Sequence, residues 1–155
     1  MNEIILLKLG EVVLKGLNRR SFEDKLMSNI RRRLQHCGKF QVVSRQSTIY
    51  VEPAGEGCDM EEAYALCKRV FGVIAVTRAR PCPKDKDAMV SCAKSYLGDQ
   101  LAKAKTFKVE TKRSDKHFSM NSMEISQYVG GALHDAYPHL KVDVHDPELC
   151  VHLEV

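Results

Sequence analysis

Apolar positions along the first half of the chain alternate between the spacing of strands and that of helices. Residues 3–9 form a short run rich in Ile and Leu, closed by Gly10, and predict a buried strand. Phe22, Leu26, Ile30 and Leu34 then recur every fourth residue, which lays one apolar stripe along a helix. Ser21 stands where an N-cap is expected, with Asp24 three residues on, and Gly38 stands where a helix ends. Residues 40–44 and 48–52 read as two short strands joined by the polar turn Arg45-Gln46-Ser47. Asp59 and Glu62 make a capping pair for a helix through Val70, and residues 73–80 read as a strand halted near Pro81 and Pro83. Strand, helix, strand, strand, helix, strand is the ferredoxin-like βαββαβ order, an antiparallel sheet backed by two helices.

The second half predicts a helix over residues 85–103, with Met89, Cys92, Ala93, Tyr96 and Leu97 on its apolar face. In residues 106–112, Phe107, Val109 and Thr111 alternate with Lys108, Glu110 and Lys112, the period of a half-buried strand. After a polar loop, Asn121 and Glu124 form a capping pair for a helix carrying Ile125, Val129, Ala132 and Leu133. Gly130 and Gly131 inside it cost roughly 1 kcal/mol each against Ala, a cost that close packing on a strand would explain. Residues 141–144 and 149–154 read as final strands. The whole is an α+β chain with a ferredoxin-like domain over residues 1–75 and a second α/β domain over residues 76–155. Its last strand runs to the end of the chain, which suggests a domain cut short.

Charge sharpens this outline. The net charge of +4 is unevenly distributed: residues 8–45 carry ten Lys or Arg against Glu11, Glu23 and Asp24. Residues 103–116 carry six against Glu110 and Asp115, whereas residues 52–62 are acidic. Local basic patches of this kind suit a polyanion. No apolar run approaches the roughly 20 residues of a membrane span, and Glu3 and Lys8 flank too short a run for a secretory leader, so a cytoplasmic location and no membrane partner are expected.

Catalytic signatures are scarce. No GxxxxGK[ST], SGGxDS-type, GxGxxG or GxSxG loop occurs. Glu11 and Lys15 read as a surface pair, and Asp143, Asp146 and Glu148 as a turn around Pro147. The six cysteines form no CxxC, and the six histidines form no HxxxH or HExxH. Structural thiols and no metal are therefore expected. The residues read as a binding platform.

Two segments favour RNA. The first is the loop carrying Lys15, Asn18, Arg19 and Arg20 ahead of a helix, extended by Lys25 and Arg31-Arg32-Arg33. Successive helix residues diverge by about 100°, so those three arginines cannot all face one ligand. The second segment is FKVETKRSDKHF, where Lys112, Arg113 and Lys116 leave a strand end together. His117 and Phe118 have the chemistry to stack on a base, and Phe118 equally that of a core residue under the loop.

KLGEVVLKGLNRRSFEDKLMSNIRRRL resembles the N-terminal signature of the tRNA 4-thiouridine synthetases, a family that also serves thiamine biosynthesis. FKVETKRSDKHFSMNSMEISQYVGGAL and VDVHDPELCVHLEV resemble the THUMP domain that follows in those proteins. The resemblance implies a ferredoxin-like plus THUMP pair that grips the acceptor stem and CCA end of tRNA, with RNA contacts at Lys15, Asn18, Arg19, Arg20, Lys112, Arg113, Lys116 and Phe118. A separate ATP-pyrophosphatase part would use ATP, magnesium and a persulfide sulfur donor, supplied by a cysteine desulfurase, to make 4-thiouridine at tRNA position 8. It further implies a homodimer with tRNA held across two subunits. No catalytic residue and no cofactor is expected within these 155 residues. THUMP domains also occur on methyltransferases, pseudouridine synthases and deaminases, which is the alternative reading.

Overall fold

A computed structural model describes residues 3–10, 19–45 and 48–155, with the Arg19 side chain left out. Lys15, Asn18, Glu11 and the Gln46-Ser47 turn lie outside the described residues. The chain divides into two compact units, Met1–Pro81 and Cys82–Val155.

In the first unit, strands β1 (Ile4–Leu9), β2 (Phe40–Arg45), β3 (Thr48–Pro53) and β4 (Val73–Ala79) form a sheet in the order β2-β3-β1-β4, all antiparallel. Helices α1 (Arg19–Arg33) and α2 (Met60–Cys67) complete the ferredoxin-like βαββαβ fold, each crossing over one intervening strand. The four-residue stripe works as its spacing predicts: Leu26, Ile30 and Leu34 are buried and Phe22 packs beside them against Ile5, Leu7, Ile49 and Val51 of the sheet. Leu34 belongs to a 3₁₀ turn, Leu34–Cys37, that finishes the helix. Ser21 does not cap it, because α1 is already under way at Arg19 and Ser21 falls within its first turn. Asp59 caps α2 by accepting from the Glu62 amide at 3.1 Å.

β4 continues past residue 75 to Ala79, so its pairing with β1 reaches Ile4↔Ala79 and the first unit closes at Pro81. Gly38 adopts φ 127°, and a Cβ there would stand 2.8 Å from Cys58 Sγ. Only glycine fits this close crossing.

The second unit holds α3 (Lys86–Lys103), β5 (Thr106–Lys112), α4 (Ser122–Ala136), β6 (Lys141–Val142) and β7 (Leu149–Glu154). The sheet order is β6-β5-β7, and both pairings are parallel. Phe107 and Val109 of β5 and Leu149, Val151 and Leu153 of β7 turn to one face and meet Met89, Val90, Ala93 and Leu101 of α3 and Ile125, Val129 and Leu133 of α4. Val90 and Leu101 are thus in the core where the sequence suggested Cys92 and Tyr96, a rotation of the buried face by about one residue. β6 is two residues long rather than four because Asp143 captures the chain: its Oδ1 accepts from the His145 and Asp146 amides at 3.0 and 3.1 Å.

Candidate nucleic-acid interface

Lys112 is the last residue of β5, and the loop after it returns to the N-terminus of α4. In parallel sheets the carboxyl ends of the strands share one edge, and loops there, beside helix N-termini, are where anionic ligands are met. Lys112 pairs with Glu154 in the β5–β7 ladder, so the loop starts from a fixed rung.

The loop is tied at several points. The Val155 main-chain oxygen accepts from the Ser114 and Asp115 amides at 2.6 and 2.9 Å, and the Val155 amide donates to Lys112 O at 2.9 Å. Arg113 Nη1 donates to the carbonyl oxygens of Phe118 and Met120, 3.4 Å each. Asp115 accepts from Lys84 Nζ at 2.7 Å and from the His117 amide at 3.0 Å. These contacts, with Lys84 the strongest, hold the Asp115 carboxyl below the usual carboxylate range. Asn121 and Glu124 close a reciprocal capping box at 2.8 and 3.0 Å, which sets where α4 begins.

The sequence-predicted residues therefore fall into distinct settings. Lys112 and Lys116 are exposed. Arg113 is half-buried and braces its own loop. Phe118 is half-buried and packs against the second core, so it supports the loop from beneath. Arg20 is exposed in the first turn of α1. The arginine run at the end of α1 splits up: Arg31 Nη2 donates to Val42 O of β2 at 3.1 Å, while Arg32 and Arg33 both donate to Asn29 Oδ1 at 3.3 Å.

Lys84 and Lys86 went unnoticed in the sequence because each is followed by an acid. Lys86 Nζ lies 4.7 Å from the centre of the Tyr128 ring, and the Tyr128 hydroxyl is hydrogen-bonded to Asp87, which ties the first turn of α3 to α4. Two buried cysteines of the first unit sit where thiolate formation is disfavoured: burial, then Cys37, pushes the Cys67 thiol up to about 11, and burial is also the main cause raising Cys37. A cleft is lined by Glu3, Gly55, Glu56, Gly57 and Cys58, and its Glu3 is already paired with Arg78 at 2.6 Å. Among the described residues, no helix is long and apolar enough to cross a membrane.

Residues 4–77 match the ThiI ferredoxin-like domain family and residues 83–155 match the THUMP domain family. A ferredoxin-like domain followed by a THUMP domain is thus the class of protein that fold and sequence define together. A probable tRNA sulfurtransferase of Acetivibrio thermocellus is 41% identical over all of this chain and 40% of its own length, and one of Thermoanaerobacter sp. is 40% identical over the same shares. The chain belongs to the ThiI family of tRNA sulfurtransferases, carrying its ferredoxin-like and THUMP domains, and spans about 40% of the length of the curated relatives it matches. In fold it resembles a 4-thiouridine synthetase crystallised with RNA and ATP (TM-score 0.81, 24% identity, all of this chain and 39% of that one). It also resembles PH1313 from Pyrococcus horikoshii (TM-score 0.79, 23% identity, 99% of this chain and 51% of that one).

Proposed function

We propose that this chain is the tRNA-gripping region of an ATP-dependent sulfurtransferase that makes 4-thiouridine at tRNA position 8, and that it holds the acceptor stem and CCA end. The observation that carries this reading is the loop at the carboxyl end of β5, which presents Lys112 and Lys116 on a frame fixed by Val155, Arg113 and Lys84. Exposed cations on a braced loop at a strand end suit phosphate contacts, which position RNA without reading its bases. Lys15, Asn18, Arg19 and Arg20 join them as contacts from the first unit. Phe118 enters as the loop's apolar anchor.

The catalytic step belongs to the longer protein. ATP, magnesium and the persulfide sulfur are assigned to its remaining part, because the sequence of this chain carries no ATP-pyrophosphatase loop. A cysteine desulfurase as sulfur source, a cytoplasmic location, a homodimer and a link to thiamine thiazole sulfur complete the reading. The ThiI-type domain over residues 4–77 favours thiolation over the other chemistries to which THUMP domains are joined.

Gel shift of the 155-residue chain on intact tRNA and on tRNA lacking the CCA end tests the proposal. Binding should fall steeply with salt and weaken without the CCA end. Equal, salt-insensitive binding to both would overturn it.

A further inference from the structure

We propose that Glu110, Cys150 and His152 form a binding site for one zinc-class divalent cation on the face of the second sheet opposite its helices. The site is a product of strand register. β5 and β7 run parallel with Lys108 opposite Cys150 and Glu110 opposite His152, so the donors occupy neighbouring rungs of neighbouring strands. Strand alternation sends Val109 and Val151 into the core and their neighbours Glu110, Cys150 and His152 to the other face.

One donor atom from each of the three lies within 4.8 Å of the others. His152 Nδ1 and Glu110 Oε2 are 3.5 Å apart. Two ligands at 2.0–2.1 Å from a tetrahedral ion stand about 3.3 Å apart, so this pair is already spaced to share one. Closing roughly another ångström onto the sulfur falls to side-chain torsions, because the strands fix the backbone.

The surroundings support the carboxylate in a ligand's role. Lys108 Nζ holds the other oxygen, Oε1, at 2.5 Å and also donates to Val144 O at 3.4 Å, leaving Oε2 directed at His152. Ligating carboxylates are commonly oriented by such an outer hydrogen bond. The ammonium of Lys108 opposes a cation, but a thiolate and a carboxylate together balance the two charges of the ion. Burial, then Glu110, raises the Cys150 thiol, so binding must release its proton to solvent. Sulfur, imidazole and carboxylate together select zinc over magnesium or calcium, and three protein donors leave the fourth position to water. Along the chain, Cys150 and His152 are two residues apart and Glu110 is remote, so no metal spacing marks them.

Cobalt(II), a spectroscopic substitute for zinc, titrated into the reduced 155-residue chain decides the matter. One equivalent should give a thiolate-to-cobalt charge-transfer band with tetrahedral d–d bands, and zinc should displace it. Cys150→Ser should abolish the charge-transfer band, while His152→Ala and Glu110→Gln should weaken binding at least about tenfold. Far-UV circular dichroism verifies that each variant is folded, and Cys58→Ser should leave the spectrum unchanged. The site is refuted by a cobalt spectrum without the charge-transfer band, or by a band that survives Cys150→Ser.

Discussion

Lys84 Nζ meets Asp115 Oδ2 at 2.7 Å, so a residue just ahead of α3 fastens the loop that carries Lys112, Arg113 and Lys116. The contact is an ion pair with one exposed partner, and its effect is local order rather than global stability. Because the folded carboxyl is held below its ordinary value, the fastening is fully present above about pH 4 and is lost as pH falls through the lowered value. Hydrogen-exchange protection at the amides of residues 114–118 should therefore drop in acid, and Lys84→Met should produce the same drop at neutral pH.

Lys112 and Arg113 are neighbours with different duties. Lys112→Ala should weaken tRNA binding, reduce the salt dependence by about one counterion, and leave the circular dichroism spectrum and melting temperature unchanged. Arg113→Ala should also weaken tRNA binding but, unlike Lys112→Ala, lower stability by about 1 kcal/mol, because the Phe118 and Met120 carbonyls lose their donor. Arg113→Lys keeps the charge without the two-pronged brace, so recovery of affinity without recovery of thermal stability would separate the two duties.

The glycines of α4 were expected to mark close packing, and the structure requires it at neither. A Cβ on Gly130 would sit 3.6 Å from Val109 Cγ2, an ordinary contact, and one on Gly131 would meet nothing within 4 Å. Gly131→Ala should stabilise the second unit by up to about 1 kcal/mol, and Gly130→Ala should be tolerated. Gly38→Ala has the opposite sign: a positive φ and a Cβ 3.0 Å from Cys58 Cα should cost a few kcal/mol in urea unfolding.

Asn121→Ala removes one half of the capping box and leaves the Glu124 amide without its acceptor. A loss of about 1 kcal/mol is expected, with the exchange of the first-turn amides of α4 rising more than that of its centre.

The sequence displays whatever depends on neighbours along the chain. The stripe from Phe22 to Leu34, the Asn121–Glu124 pair, the alternation of Phe107 to Lys112 and the turn at Asp143 are all short-range patterns, and all appear in the fold. Contacts between distant segments are silent in it. Nothing near Arg113 announces that its guanidinium turns inward to two carbonyls, and the Lys84–Asp115 pair joins positions far apart in the chain. The Glu110, Cys150 and His152 donors are invisible for the same reason, since only a parallel ladder sets them side by side. Ser21 failed as a helix start because cap preference is a local tendency that the chain ahead of it can override.

The hold of Val155 on Ser114 and Asp115 also fixes an order of events during synthesis. A nascent chain emerges from its N-terminus, and β7 reaches β5 only after α4 and β6 have been made. The first unit's sheet draws on no residue beyond Ala79, whereas the amides of Ser114 and Asp115 meet the Val155 oxygen only once β7 has docked on β5. Whatever holds β7 away from β5 therefore loosens the loop that carries Lys112 and Lys116 and leaves the first unit's sheet intact.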